Sequence, residues 1–285
     1  MNYRHAFHAG GFADVVKHAV LVRILLHLRA KPAAFRVIDT HAGAGLYGLA
    51  GEEAGRSGEW RDGIGRLVSA PISDQARALL APYLDAVAAC NGAGGGLAIY
   101  PGSPALVRAF LRPQDRLIAC ELEPKAAGAL ARNLAGDPRC KAIAIDGWTA
   151  LNAYVPPKER RGLILIDPPF EEAADFPRLA QALAAAYRKW AGGTYLLWYP
   201  IKERAGPDAL ARRLRASAIA KILRAELSLA LPAGETRLGA CGLIVVNPPW
   251  TLAGELGVLL PALAAALDRG AGRGAYRVDW LIGEK

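Results

Sequence analysis

Leu163-Ile164-Leu165-Ile166-Asp167-Pro168-Pro169-Phe170 is an unbroken apolar run that ends in an acid, two prolines and an aromatic ring. Four consecutive large aliphatic side chains leave no polar face, which is how a strand buried on both sides of a parallel sheet reads. Outward from it, short apolar runs at 35–38, 116–120, 140–145, 194–198, 221–229 and 243–246 alternate with helical patterns at 14–29, 104–111, 124–134, 176–190 and 208–218. That alternation predicts an α/β fold with helices on both faces of a central sheet.

The 285 residues are 53% hydrophobic and 21% charged, enough apolar material for a full core and too little charge for a disordered chain. One stretch breaks the rhythm. Residues 47–99 carry a glycine-rich entry (Gly48, Gly51, Gly55, Gly58), a helical middle at 74–90 and a loose exit. They predict a helical insertion subdomain between 1–46 and 100–285, which form the main domain. The N-terminus lacks the apolar run of a signal peptide, and the longest apolar stretch, 256–267, is too short to span a bilayer and is broken by Pro261. Four scattered cysteines (Cys90, Cys120, Cys140, Cys241) match neither a zinc site nor a disulfide framework. The expectation is a cytoplasmic protein without membrane or metal. The net charge of +9 fits a polyanionic partner, and equally an Arg-preferring genome.

Asp167-Pro168-Pro169-Phe170 points to a reaction. The exocyclic amine of adenine is conjugated with its ring and is a poor nucleophile. A carboxylate at Asp167 and the Pro168 carbonyl can each accept one N–H and draw the lone pair out of conjugation. The prolines fix φ and hold that carbonyl in place, and Phe170 can stack on an extruded base. A plain turn is the alternative. A second copy, Asn247-Pro248-Pro249-Trp250, follows a later strand expected to be antiparallel, and is given a structural or substrate-wall role.

Asp39-Thr40-His41-Ala42-Gly43-Ala44-Gly45 follows the first strand, where open α/β sheets bind nucleotides. Gly43-x-Gly45-x-x-Gly48 matches a dinucleotide fingerprint, but the expected helix does not follow at once; Asp-x-x-x-Gly-x-Gly matches the cofactor loop of S-adenosylmethionine-dependent methyltransferases. Glu121 ends the next strand, where a carboxylate can take both ribose hydroxyls. A helix cap is the plainer role, which Glu123 before Pro124 fits better. Asp146 with Gly147 ends a third strand, so Asp39, Glu121 and Asp146 make one acidic edge. Asp14 reads as an N-cap, placing Lys17 and His18 in a first helical turn against the dipole, where an anionic ligand or a neighbouring carboxylate would favour them. His5, His8, His18 and His41 lack a metal-binding pattern.

The segments Asn2-Tyr3-Arg4-His5-Ala6-Phe7-His8-Ala9-Gly10, Asp14-Val15-Val16-Lys17-His18 and 39–45, with Pro101-Gly102-Ser103-Pro104 and both Pro-Pro motifs, resemble the RlmJ family of bacterial 23S rRNA adenine-N6 methyltransferases. The resemblance spans nearly the whole chain. It implies a seven-stranded, Rossmann-like class I methyltransferase fold that binds S-adenosylmethionine and acts on one adenine of protein-free 23S rRNA, as a monomer. It places Lys17, His18, His41, Gly43, Ser103, Glu121, Asp146, Gly147 and Asp167 at the cofactor, and Tyr3 and His5 on the substrate side. With Pro104 at N1, Ser103 reads as an N-cap whose helix start holds the methionine carboxylate. A DNA adenine-N6 methyltransferase, or a nucleic-acid-binding module without catalysis, would share much of this pattern.

Overall fold

The computed structural model describes residues 5–92, 96–172, 174–231, 237–269 and 274–283, so Tyr3 lies outside the described residues. In chain order the elements are α1 (Phe12–Arg29), β1 (Arg36–Asp39), β2 (Leu46–Gly48), α2 (Glu52–Ser57), α3 (Arg66–Ser69), α4 (Asp74–Ala89), β3 (Ile99–Pro101), α5 (Ser103–Phe110), β4 (Arg116–Glu121), α6 (Pro124–Leu134), β5 (Cys140–Ala144), α7 (Gly147–Tyr154), β6 (Gly162–Ile166), α8 (Asp175–Lys189), β7 (Thr194–Pro200), α9 (Ala205–Arg215), β8 (Ile222–Ser228), β9 (Ala240–Val246), α10 (Leu252–Ala266) and β10 (Ala275–Ile282). The central sheet runs β5-β4-β1-β6-β7-β9-β8-β10. Pairing from β5 to β7 is parallel, and β9 and β10 run antiparallel to their neighbours.

β6 is buried at every position. Leu163 and Leu165 join one core with α1, α5, α6 and α10, while Ile164 and Ile166 join the other with α7, α8 and α9. This two-residue alternation in a strand without a polar face makes a three-layer sandwich. The chain steps outward from β1 to β4 and β5, then crosses to β6 on the far side of β1. Ligands bind outside the carboxyl ends of strands at such a reversal.

The sheet departs from the expected seven strands by an eighth, β10. Half of its residues are exposed, and its alternation of Tyr276, Val278 and Trp280 with Arg277 and Asp279 covers only a short run near the end of the chain. It pairs antiparallel with β8, and buried Arg224 on β8 adds two bonds of 2.9 and 2.8 Å to Asp279. Nor is 47–99 without strands, because Leu46–Gly48 pairs with Ile99–Pro101 at its neck. Within it, Ile64, Leu67, Leu80, Tyr83 and Val87 belong to the same core as α1 and α10. Pro261 does not break its segment. α10 continues through it because Leu256, Leu259, Leu260 and Leu263 are all buried, and packing outweighs propensity. No helix among the described residues is long and apolar enough to cross a membrane.

Asn247 lies at the wrong end of the sheet for chemistry. Val246 pairs with Tyr195 while Leu197 pairs with Ile166, so Asn247 is level with the start of β6 and Asp167 with its end. At about 3.3 Å per residue, roughly 13 Å of sheet separates those levels. The Asn247 amide donates to the carbonyls of Ala191 and Gly193, both at 2.7 Å, and its φ is 50°. Its role is structural, and not that of a substrate wall. Asn247→Ala should cost about 1–3 kcal/mol by chemical denaturation, from two lost bonds and a left-handed φ that Asn tolerates better than Ala. Unchanged stability in that variant would refute the role.

Candidate active site

The β1 loop turns on Gly43, whose φ of 61° suits glycine and where a Cβ would stand 2.0 Å from the Tyr47 hydroxyl. Tyr47 receives the Ala44 amide at 2.9 Å, and Glu121 receives the Gly43 amide at 2.8 Å. The other Glu121 oxygen accepts the Glu123 amide at 2.8 Å, so this acid links the loops after β1 and β4. Glu123 is the N-cap of α6, as its place before Pro124 predicts, and receives the Ala126 amide. Asp146 caps α7, taking the Thr149 amide and hydroxyl on Oδ2. His41 lies edge-on to Trp148 at 5.4 Å, with the Arg178 guanidinium 4.7 Å over the same indole. Burial lowers the His41 pKa to about 4, so its ring is neutral near pH 7.

A chain of buried charge runs behind this loop. Lys17 Nζ stands 2.8 Å from Asp14 Oδ1 and 2.5 Å from Asp167 Oδ2. Asp14 Oδ2 also accepts the Gly10 amide and faces His5 Nε2, both at 3.1 Å. Burial works against each of these charges, yet the partners win: the Lys17 pKa rises well above its ordinary value and that of Asp14 falls well below. The cation on α1 is therefore explained by neighbouring carboxylates, the plainer of the two expectations. α1 begins at Phe12 with Gly11 as N-cap, so Asp14 is a first-turn ion-pair acid and not the cap. His18 is fully buried. Its Nδ1 lies 2.7 Å from the Tyr100 hydroxyl, which meets the Tyr83 hydroxyl at 2.9 Å, and burial lowers the His18 pKa to about 3.

A cavity of about 360 Å³ opens at the carboxyl ends of β1, β4, β5 and β6. Its walls include His5, His41, Gly43, Glu121, Asp146, Gly147 and Asp167, so seven expected residues share one space. Lys17, His18, Ser103, Pro168 and Phe170 do not line it. Lys17 reaches it only through Asp167. Ser103 is not the helix cap, which is Gly102; its hydroxyl donates to Asp39 at 2.6 Å. Asp39 is thus beneath the acidic edge and not on it. Burial, only partly offset by the Ser103 bond, raises its pKa to about 7. Phe170 has a φ of 50° and packs its ring on Phe176 (4.9 Å) and Trp198 (5.9 Å). Sequence reasoning missed Tyr47, Trp148 and Arg178. Trp148 had a signal, its place directly after Asp146-Gly147; Arg178 reads only as one charge on an amphipathic helix.

The residues fit a nucleoside-bearing cofactor. Glu121 and Asp146 offer carboxylates in a lining that also includes Leu122, Ala126 and Trp148, which supply apolar surface for a base. The volume also falls in the range of small-molecule sites.

The family described as ribosomal RNA large subunit methyltransferase D, RlmJ, matches residues 32–282. Ribosomal RNA large subunit methyltransferase J of Escherichia coli is 41% identical over 285 residues, and the protein of that name from Haemophilus influenzae is 37% identical over 284; both alignments cover all of each chain. The crystal structure of a Legionella pneumophila protein superimposes with a TM-score of 0.85 at 32% identity, covering 96% of this chain and 98% of that one. The motifs, the sheet and these full-length likenesses agree: the chain belongs to the RlmJ family of ribosomal RNA large subunit methyltransferases.

Proposed function

We propose that this chain, acting as a single subunit in the bacterial cytoplasm, methylates the exocyclic N6 of one adenine in protein-free 23S rRNA, with S-adenosylmethionine as donor. The observation that carries the reading is Asp167: a carboxylate just past the last residue of β6, one oxygen held by Lys17, on the wall of a cavity built from the β1 loop, Glu121 and Asp146. When bound, the cofactor supplies an electrophilic methyl group. Glu121 and Asp146 would accept hydroxyl or amine hydrogens of its nucleoside, and Gly43, Gly147 and His41 would line its approach, the two glycines making room for Tyr47, Thr40 and His41. Lys17, His18 and Ser103 act from behind the wall, as positioning groups.

Lys17 occupies Asp167 Oδ2. Oδ1 would accept one adenine N–H, drawing the nitrogen lone pair out of conjugation for attack, and Pro168, buried behind the lining, would hold the Asp167 backbone in place. The nitrogen becomes cationic as its bond to carbon forms, and a carboxylate beside it favours that charge. Asp167 is also placed to take the proton the product must lose. His5, on the cavity wall, would face the side from which the RNA base enters.

Asp167→Ala should lower methylation of protein-free 23S rRNA at least about 10²-fold, the scale of one lost transition-state hydrogen bond. RNA binding should persist, because phosphate contacts dominate it. Asn247→Ala should keep most activity. A near-normal rate for Asp167→Ala in a methyl-transfer assay would sink this assignment. By calorimetry, the demethylated cofactor should bind and NAD should not. Glu121→Ala should weaken binding by about 1–3 kcal/mol; tight NAD binding without heat from the methyl donor would overturn the cofactor reading.

A further inference from the structure

β1, β4 and β6 begin level with one another, because Arg36 is opposite Arg116 on one side and Gly162 on the other. The connections that lead into them, 30–35, 111–115 and 155–161, therefore emerge side by side at the edge of the sheet away from the cavity. At about 3.3 Å per residue, β6 sets roughly 17 Å of sheet between that edge and Asp167. The connections are also tied together. The Arg112 guanidinium donates to the carbonyls of Arg29, Lys31 and Ala33 at 3.2, 2.7 and 3.0 Å, and Arg161 donates to those of Leu28 and Ala33, both at 3.1 Å.

Charge on this surface is not balanced by its own partners. The whole chain has 35 Lys and Arg against 26 Asp and Glu, whereas residues 27–36, 110–116 and 155–162 have eight against two. Both acids are already engaged: Asp115, wholly buried, by Arg112 at 2.8 Å, and Glu159 by Arg36 at 2.6 Å. Backbone carbonyls hold Arg116 and Arg161 but bring no charge. Arg29, Lys31, Lys158 and Arg160 are exposed and have no acid partner among the described residues. Burial lowers the pKa of His27 and of Arg161, and adjacent cations push the same way: Arg161 and Lys31 beside His27, Arg112 beside Arg161. The helix dipole accounts for Arg29 in the last turn of α1, but not for Lys158 and Arg160, which lie past the end of α7 at Tyr154. The cavity has the opposite sign, with Glu171, Glu172 and Asp175 beside Glu121, Asp146 and Asp167, so phosphates flanking an inserted base gain little there.

We infer that the edge around Lys31, Arg112, Lys158 and Arg160 is a docking surface for the phosphate backbone of RNA, which holds a large substrate at a second place while its target base is in the cavity. Exposed cations without acid partners bind phosphates by releasing counterions. A lipid surface would also want exposed apolar side chains, and no large one is exposed in these connections. The inference rests on the rRNA reading above.

The test variant is Lys31→Gln with Arg160→Gln, two exposed side chains that bond nothing among the described residues. In filter binding it should hold protein-free 23S rRNA about tenfold more weakly near 100 mM salt, with the slope of log affinity against log salt flattened by roughly 1.5, the release from two phosphates. Lys31→Arg with Arg160→Lys should keep the wild-type slope. In hydroxyl-radical footprinting the wild type should protect the strand around the target and a second, remote stretch, and the Gln pair should lose only the second. Its KM for the rRNA should rise, with kcat and cofactor affinity unchanged. A single protected stretch, or wild-type affinity and slope in the Gln pair, would overturn the surface. So would binding to phosphatidylglycerol vesicles that falls in the Gln pair while RNA binding does not. If the wild type protects the second stretch through these residues but leaves the rRNA unmethylated, the surface stands and the adenine reading falls.

Discussion

The Lys17 ammonium, shared between Asp14 and Asp167, joins the first helix of the chain to the end of the central strand β6, across 150 residues of sequence. All three groups are largely withdrawn from water. In such surroundings a pair adds little net stability, but removing one member leaves a charge that costs about 3–5 kcal/mol. The arrangement therefore specifies more than it stabilises: it fixes which oxygen of Asp167 is occupied by the ammonium, leaving the other as the acceptor in the proposed reaction. It also ties the N-terminal segment, through Asp14 to Gly10 and His5, to the same site.

The acids at the sheet edge divide the remaining work by burial. Asp39 is wholly enclosed, with one oxygen on Ser103 and a pKa near 7, and stabilises the floor. Glu121 and Asp146 reach the cavity while also holding the backbones that shape it, Glu121 at Gly43 and Glu123, Asp146 at Thr149. Cavity wall and framework thus share residues, which is how a loop on a sheet edge keeps its shape without extra structure. The four N-terminal and loop histidines take separate partners in this frame: Asp14, Glu59, Tyr100 and Thr40.

The central strands were legible because their apolar runs have no polar face, as in 163–166, and the cap at Glu123 because it directly precedes the first-turn proline of a helix whose amide it receives. β10 was not, because its run of alternation is short and half exposed, and its pairing with β8 and the Arg224–Asp279 bonds join residues far apart in the chain. Ser103 and Asp14 were misread as caps for one reason: a short polar residue near a helix start looks the same whether it bonds the helix amides or a distant side chain. Their partners, Asp39 and Lys17, are a matter of packing. The same holds for Phe170, whose ring the sequence offers to a base and the fold gives to Phe176 and Trp198.

By itself the sequence determined the alternating α/β architecture, the order of its acids along the chain, and the chemistry available at Asp-Pro-Pro-Phe. These depend on local periodicity and residue type, which act over a few neighbours. Only the tertiary structure decided which acids face the cavity, that Asn247-Pro-Pro-Trp sits at the opposite end of the sheet from Asp167, and that Lys17 is balanced by two carboxylates. Those outcomes depend on strand direction and on contacts between residues far apart in the chain, and the energy of a buried charge depends on what surrounds it rather than on its neighbours in sequence.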